Sequence, residues 1–306
     1  MCMYKIIEDE LLAAYRELRN ENPPEMLAVH KISPGKTQEL VVPTVPFVGK
    51  HYAEQEKKIL VYASAETLND YYIGDSGEEN DRIWLDDDSQ AENRHRRCFE
   101  ESVAAKSGFF PNVHISPMNE GVLATAVMYL AGLIRKENVK APAQFYETIA
   151  FGNYSKYSIE TEYQRKLREN HVLNDEDKET LSKINIDTAG NAILKFSHPF
   201  IQKDIEILKP DYIIMPNVGD KEFLKSFLPS NVKMIEIYQM TSRVINAGII
   251  RKCKKYEKIS PGDYNSLPDV IQEACKNVTG VNMEQFSYLF DYLEKVYSEN
   301  GGDLRN

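Results

Sequence analysis

The sequence predicts an α/β protein: a three-layer α/β/α arrangement around a central, mostly parallel four-stranded sheet. Three observations predict it. Four short strand segments recur along the chain; the first, Ile59–Ala63, is an uninterrupted apolar run that suits a strand buried on both faces, as in parallel sheets, and the fourth, at 233–238, alternates with period two. The stretches between them place apolar residues at helical spacing. Strands therefore alternate with helices, the pattern of a sheet covered on both faces.

In chain order, residues 8–20 read as an amphipathic helix, with Leu11, Leu12, Tyr15 and Leu18 on one face. Pro23 and Pro24 end it. Residues 41–49 carry two prolines, which exclude a central strand and leave an extended edge segment. The first strand is the run from Ile59 to Ala63. Residues 74–88 form an acidic loop, and residues 90–107 suit a helix despite the cluster Arg94, His95, Arg96, Arg97. Residues 118–137 are a strong helix, with Val122, Ala126, Tyr129, Leu130 and Leu133 as its apolar face. The second strand covers residues 148–153. Helical stretches follow at 177–182 and 198–208. The third strand covers 211–215 and is broken by Pro216 and Gly219. A short helix over 221–227 leads to the fourth strand at 233–238. Helices over 267–275 and 283–297 close the fold, and residues 300–306 fray. No repeat or low-complexity linker divides the chain. The expected organisation is an N-terminal helix and arm (1–45), one α/β domain (46–250) and a C-terminal helical extension packed on that domain (251–306).

Composition narrows the function classes. With 306 residues, 42% of them hydrophobic, the chain can bury a large core. The four cysteines, Cys2, Cys98, Cys253 and Cys275, form no close pair of the kind zinc or iron–sulfur sites use. Free thiols in a reducing compartment are expected, with no metal and no cofactor. The chain opens without a secretory signal pattern and has no membrane-length apolar run, so a cytoplasmic location is expected. Net charge is −10, from 37 Lys+Arg against 47 Asp+Glu, which disfavours broad nucleic-acid binding. Charge is uneven, with an acidic run at 75–88 and five basic residues within 251–258.

The sequence lacks the glycine-rich dinucleotide and phosphate loops, the serine-hydrolase elbow and the zinc-protease helix motif. What remains is a topological rule: in parallel sheets, ligands bind beyond the carboxyl ends of the strands. It selects four turns, at 64–69, 153–157, 216–219 and 239–246. In the first, Ser64 and Thr67 let a ligand approach the backbone, and Glu66 can orient a water or merely complement a helix dipole. In the second, Asn153 offers a donor and an acceptor together beside Tyr154, unless it serves only the turn. In the last, Gln239, Thr241, Ser242 and Arg243 can hold a phosphate, or the hydroxyls simply cap a helix.

The order of these elements resembles the uracil-DNA glycosylase superfamily. Pro46–Gly49, Ile59–Ala63 and Glu66-Thr67 are similar to the opening of bacterial members, and Ile149–Asn153 to the Asn-bearing second strand. Lys209–Ile214 resembles the entry to the third strand, and residues 237–242 sit where a His turn belongs. The resemblance covers about residues 46–246. It implies a catalytic turn after the first strand, with Glu66 or Asp70 in the acidic role. It implies that Asn153 reads a uracil-like base and that Gln239 stands in place of the His, with Met240 in place of the following Pro. The expected function is to bind or process a nucleobase, nucleoside or nucleotide, by hydrolysis of the N-glycosidic bond if the chain is an enzyme. A non-catalytic small-ligand binder and a protein-interaction module on the same fold are the competing expectations.

Overall fold

The structure is a computed structural model that describes residues 2–21, 31–33, 36–37, 43–63, 93, 95–96, 99–100, 121–156, 192–217, 221–278 and 280–302. The first helix, α1 (Met3–Glu21), is longer than its apolar stripe predicts; Leu11 and Tyr15 are its buried residues. Two short antiparallel strands follow, β1 (Lys31–Ser33) and β2 (Lys36–Thr37).

The main sheet comprises β3 (Phe47–Val48), β4 (Ile59–Ala63), β5 (Ala150–Asn153), β6 (Tyr212–Pro216) and β7 (Lys233–Ile237), in the order β3-β5-β4-β6-β7. The four expected strand segments are the four parallel strands, with register pairs Ala63↔Asn153, Leu60↔Ile213 and Ile213↔Met234. The expected strand count of four is corrected to five. The extra member, β3, is a two-residue antiparallel edge beside β5, with Phe47 opposite Phe151. Pro43 and Pro46 keep it short and at the edge, as prolines cannot donate to a ladder. Just past it, the Gly49 N–H donates to the Ile149 carbonyl at 2.9 Å. A Cβ at Gly49 would lie 2.4 Å from the Glu147 carbonyl, so only glycine permits this approach.

Side chains alternate across each strand. Ile59, Val61, Phe151, Ile214 and Ile235 join one apolar cluster, with α2 (Val122–Arg135), α7 (Asp269–Lys276) and α9 (Tyr288–Glu299). Leu60, Tyr62, Ala150, Ile213 and Met215 join another, with α1 and α4 (Ala192–Leu208). Every residue of β4, β5 and β6 is buried, which explains their uninterrupted apolar character.

The other α-helices among the described residues are α3 (Pro142–Tyr146), α5 (Lys221–Phe227), α6 (Ser242–Asn246) and α8 (Met283–Phe286). The single helix expected over 283–297 is two, α8 and α9, meeting at Ser287. The Ser287 carbonyl is engaged by the Gly262 N–H at 2.9 Å, which competes with its place in the helical ladder. Helix α4 starts earlier than expected and contains Pro199, which costs it one backbone hydrogen bond. His95, Arg96, Phe99 and Glu100 are helical; the rest of the helix expected at 90–107 lies largely outside the described residues. So do the acidic loop at 74–88 and the helix at 177–182.

The amino edge of the sheet is closed by local bonds. Arg135, at the end of α2, donates to the Thr148 hydroxyl (2.8 Å), the Thr148 carbonyl (2.9 Å) and the Lys57 carbonyl (3.2 Å). The Asp211 carboxylate accepts from the Lys58 N–H at 2.8 Å. Among the described residues, no helix is long and apolar enough to cross a membrane.

Candidate functional site at the carboxyl edge

Because β4, β5, β6 and β7 are parallel, the carboxyl ends of all four lie at one edge of the sheet. Their chain order across it is second, first, third, fourth, so the sense of winding reverses between β4 and β6.

The turn after β5 is the most developed. Asn153 ends the strand and is 6% exposed. Its Nδ2 lies 3.3 Å from His95 Nε2, and the His95 ring stands edge-on to Phe151 with centroids 5.3 Å apart. An amide nitrogen only donates, so in this pair Nε2 is the acceptor. The Asn153 amide then has Oδ1 and its second N–H, an acceptor and a donor side by side.

Beyond Asn153, the residues Tyr154, Ser155 and Lys156 are all buried. The Tyr154 N–H donates to the Ala63 carbonyl at 2.8 Å, tying this turn to the end of β4. The Lys156 N–H donates to Ser197 Oγ at 2.9 Å, and Lys156 Nζ meets the Asp204 carboxylate at 2.5 Å. Both side chains are fully buried, at 0% exposure. Two phenols complete the carboxylate's partners: Tyr15 donates to Asp204 Oδ1 and Tyr62 to Oδ2, each at 2.8 Å. The ammonium also lies 4.9 Å from the Tyr62 ring centre and 5.6 Å from that of Tyr15. Burial pushes the Lys156 ammonium below its ordinary pKa, while the adjacent Asp204 carboxylate opposes the shift. Burial first, and the Asp204 charge second, hold the Tyr62 phenol well above its ordinary value.

The turn after β7 is built differently. Gln239 and Arg243 are exposed, Met240 is buried, and Thr241 and Ser242 are half-buried. The Thr241 hydroxyl accepts from the Val244 N–H at 3.3 Å and so caps the five-residue α6. The Tyr238 N–H donates to the Tyr292 hydroxyl at 3.0 Å, which fastens the turn to α9. Two strands lie between β5 and β7, so their ends are about 14 Å apart at ordinary strand spacing. Asn153 and Gln239 thus share the edge but stand on opposite sides of its middle.

Of the residues expected to carry chemistry, Asn153, Tyr154, Gln239, Thr241, Ser242 and Arg243 are described. Ser64, Glu66, Thr67 and Asp70 lie outside the described residues, immediately beyond Ala63. The sequence reading missed His95, Lys156, Asp204, Tyr15 and Tyr62. One signal was available: Asp204 falls in the apolar stripe of α4, between Phe200, Ile201, Ile205 and Leu208, where a solvated carboxylate does not belong. No group of three or more potential metal ligands occurs among the described residues. Comparison with protein-family models, curated proteins and solved structures returns no match.

Proposed function

We propose that the carboxyl edge of this sheet binds a nucleobase, nucleoside or nucleotide through a lactam-like edge, on a uracil-DNA glycosylase-like, three-layer α/β/α fold. The observation that carries this reading is the buried pair Asn153–His95 at the end of the second parallel strand. With His95 occupying one amide N–H, Asn153 offers Oδ1 to a ring N–H and its other N–H to the neighbouring carbonyl. A base that inverts this pattern would set donor against donor, and a buried mismatch of that kind is strongly rejected.

In the enzymatic version of this reading, the bond between the sugar carbon and the base nitrogen breaks and its electron pair leaves with the base. A water oxygen bonds to the sugar carbon and gives its proton to Glu66. Hydrogen-bond donors around the base stabilise the departing anion. A second reading, a binding protein on the same fold, is favoured by one feature. Gln239, standing where a His is expected, is an exposed and uncharged amide. The buried free thiols Cys253 and Cys275 support a reducing, cytoplasmic location.

The test combines uracil release from single- and double-stranded DNA with thermal shifts in uracil and uridine monophosphate, on wild type, Asn153→Ala and Glu66→Ala. Release lost in both variants supports the enzyme. Stabilisation by ligand that Asn153→Ala removes, without release, supports the binding protein. Neither release nor stabilisation in wild type sinks the nucleobase reading.

A further inference from the structure

The proposed site accounts for Asn153 and His95 but not for the buried charge cluster three residues further along. We infer that Lys156, Asp204, Tyr15 and Tyr62 act as positioning residues that fix the Asn153 turn from beneath. This inference rests on the proposed role of Asn153 for its functional meaning, and on geometry alone for its structure.

Helix α4 grips the turn at two points. Ser197 and Asp204 are seven residues apart, two helical turns, so they lie on the same face. Ser197 Oγ takes the Lys156 N–H, and Asp204 takes the Lys156 ammonium. The backbone and the side chain of one residue are thereby held by one rigid element. The carboxylate is itself fixed by phenols from two further elements, Tyr15 of α1 and Tyr62 of β4. Tyr62 is the residue before Ala63, whose carbonyl accepts from Tyr154. The end of β4 and the turn after β5 therefore refer to the same buried carboxylate.

The local packing shows the same fixation. A Cβ at Gly152 would lie 3.3 Å from Pro46, 3.4 Å from the Tyr62 ring and 3.5 Å from Lys156 Nζ. A side chain at Gly152 would press closest on Pro46 and meet the ammonium at ordinary van der Waals distance, so the strand just before Asn153 lies beside the cluster. A network serving stability alone would be as effective anywhere in the core. This one converges on the single turn that carries Asn153.

The experiment follows the Asn153 side-chain amide by NMR, its signals identified by their loss in Asn153→Ala, together with hydrogen exchange at the Tyr154 and Lys156 backbone amides. The double variant Lys156→Met/Asp204→Leu removes both charges and keeps apolar volume. It is expected to unfold cooperatively, yet show a displaced or averaged Asn153 amide and faster exchange at 154 and 156. Ser197→Ala, a milder change, should speed exchange at Lys156 about tenfold and leave distant core amides unchanged. An Asn153 amide unchanged in the folded double variant overturns the inference. If the double variant does not fold, unchanged Lys156 exchange in Ser197→Ala overturns it instead. Uracil binding is measured alongside. If wild type binds no uracil, the functional reading fails while the amide signals still decide the positioning role.

Discussion

The turns after β5 and β7 occupy equivalent places, each following a parallel strand at the carboxyl edge, yet they are held in opposite ways. The β5 turn buries its polar groups and satisfies them with partners far off in sequence: His95 at 58 positions, Asp204 at 48. The β7 turn keeps Gln239 and Arg243 in solvent and uses Thr241 to cap its own helix. A buried charge must be compensated, so it ties a segment to several elements at once. The β7 turn carries no buried charge and is fastened by neutral hydrogen bonds, from Tyr238 to Tyr292 and Cys253 and from Asn246 to Gly280. The contrast teaches which part of the edge is fixed to high precision, and that part is the one carrying Asn153.

The sharpest way to break this comparison is to leave one buried charge alone. Asp204→Leu strands the Lys156 ammonium and should cost about 3–5 kcal/mol in urea unfolding. Adding Lys156→Met should recover most of that loss; if it does not, the two residues are not a compensating pair. Next comes Tyr62→Phe, which removes one hydrogen bond to a charged carboxylate and should cost about 1.5–3 kcal/mol.

Alkaline pH discriminates further. The Tyr62 phenol has its pKa raised in the folded state above the unfolded value of 10.0. The unfolded chain therefore loses that proton first, and stability falls as pH rises past 10. The Cys275 thiol, raised by burial from 9.0 to about 12, acts in the same sense from pH 9 upward. Urea midpoints should fall between pH 9 and 11, with Tyr62 contributing above pH 10. In Tyr62→Phe that share of the alkaline loss should be missing. Tyr238, in the β7 turn, is pushed up to about 12, chiefly by its hydrogen bond to Cys253. Tyr238→Phe tests whether that turn shares the alkaline sensitivity, and a smaller effect than that of Tyr62→Phe is expected.

Changes in the β7 turn should be milder. Thr241→Ala loses a helix cap, at about 1 kcal/mol, and should leave the Asn153 amide signals in place. Arg243→Ala should stay within about 0.5 kcal/mol of wild type. A large effect of either on Asn153 would show that the two turns are coupled across the edge, against the contrast drawn above.

Legibility in the sequence followed the range of the interactions. The strand Ile59–Ala63 announces itself because every residue is buried, so local composition carries the whole signal. Helix α2 is equally plain from its apolar face. The edge strand Phe47–Val48 is too short to show periodicity, and only its pairing with Phe151 makes it a strand. Asn153 was found through a topological rule, whereas His95 was visible only as part of a basic cluster. The Asp204 carboxylate left a trace, being a charge in an apolar stripe, but its partners left none. Tyr15 lies 189 positions from it and Tyr62 142.

The sequence by itself determined the alternation of strands and helices, the parallel core and the edge where the candidate site lies. These follow from burial patterns with local periods of two and 3.6 residues. Only the tertiary structure decided the fifth strand, the pairing of Asn153 with His95 and the buried Lys156–Asp204 cluster. Each depends on which distant groups share a small volume with little water, where a charge or amide must find a specific partner.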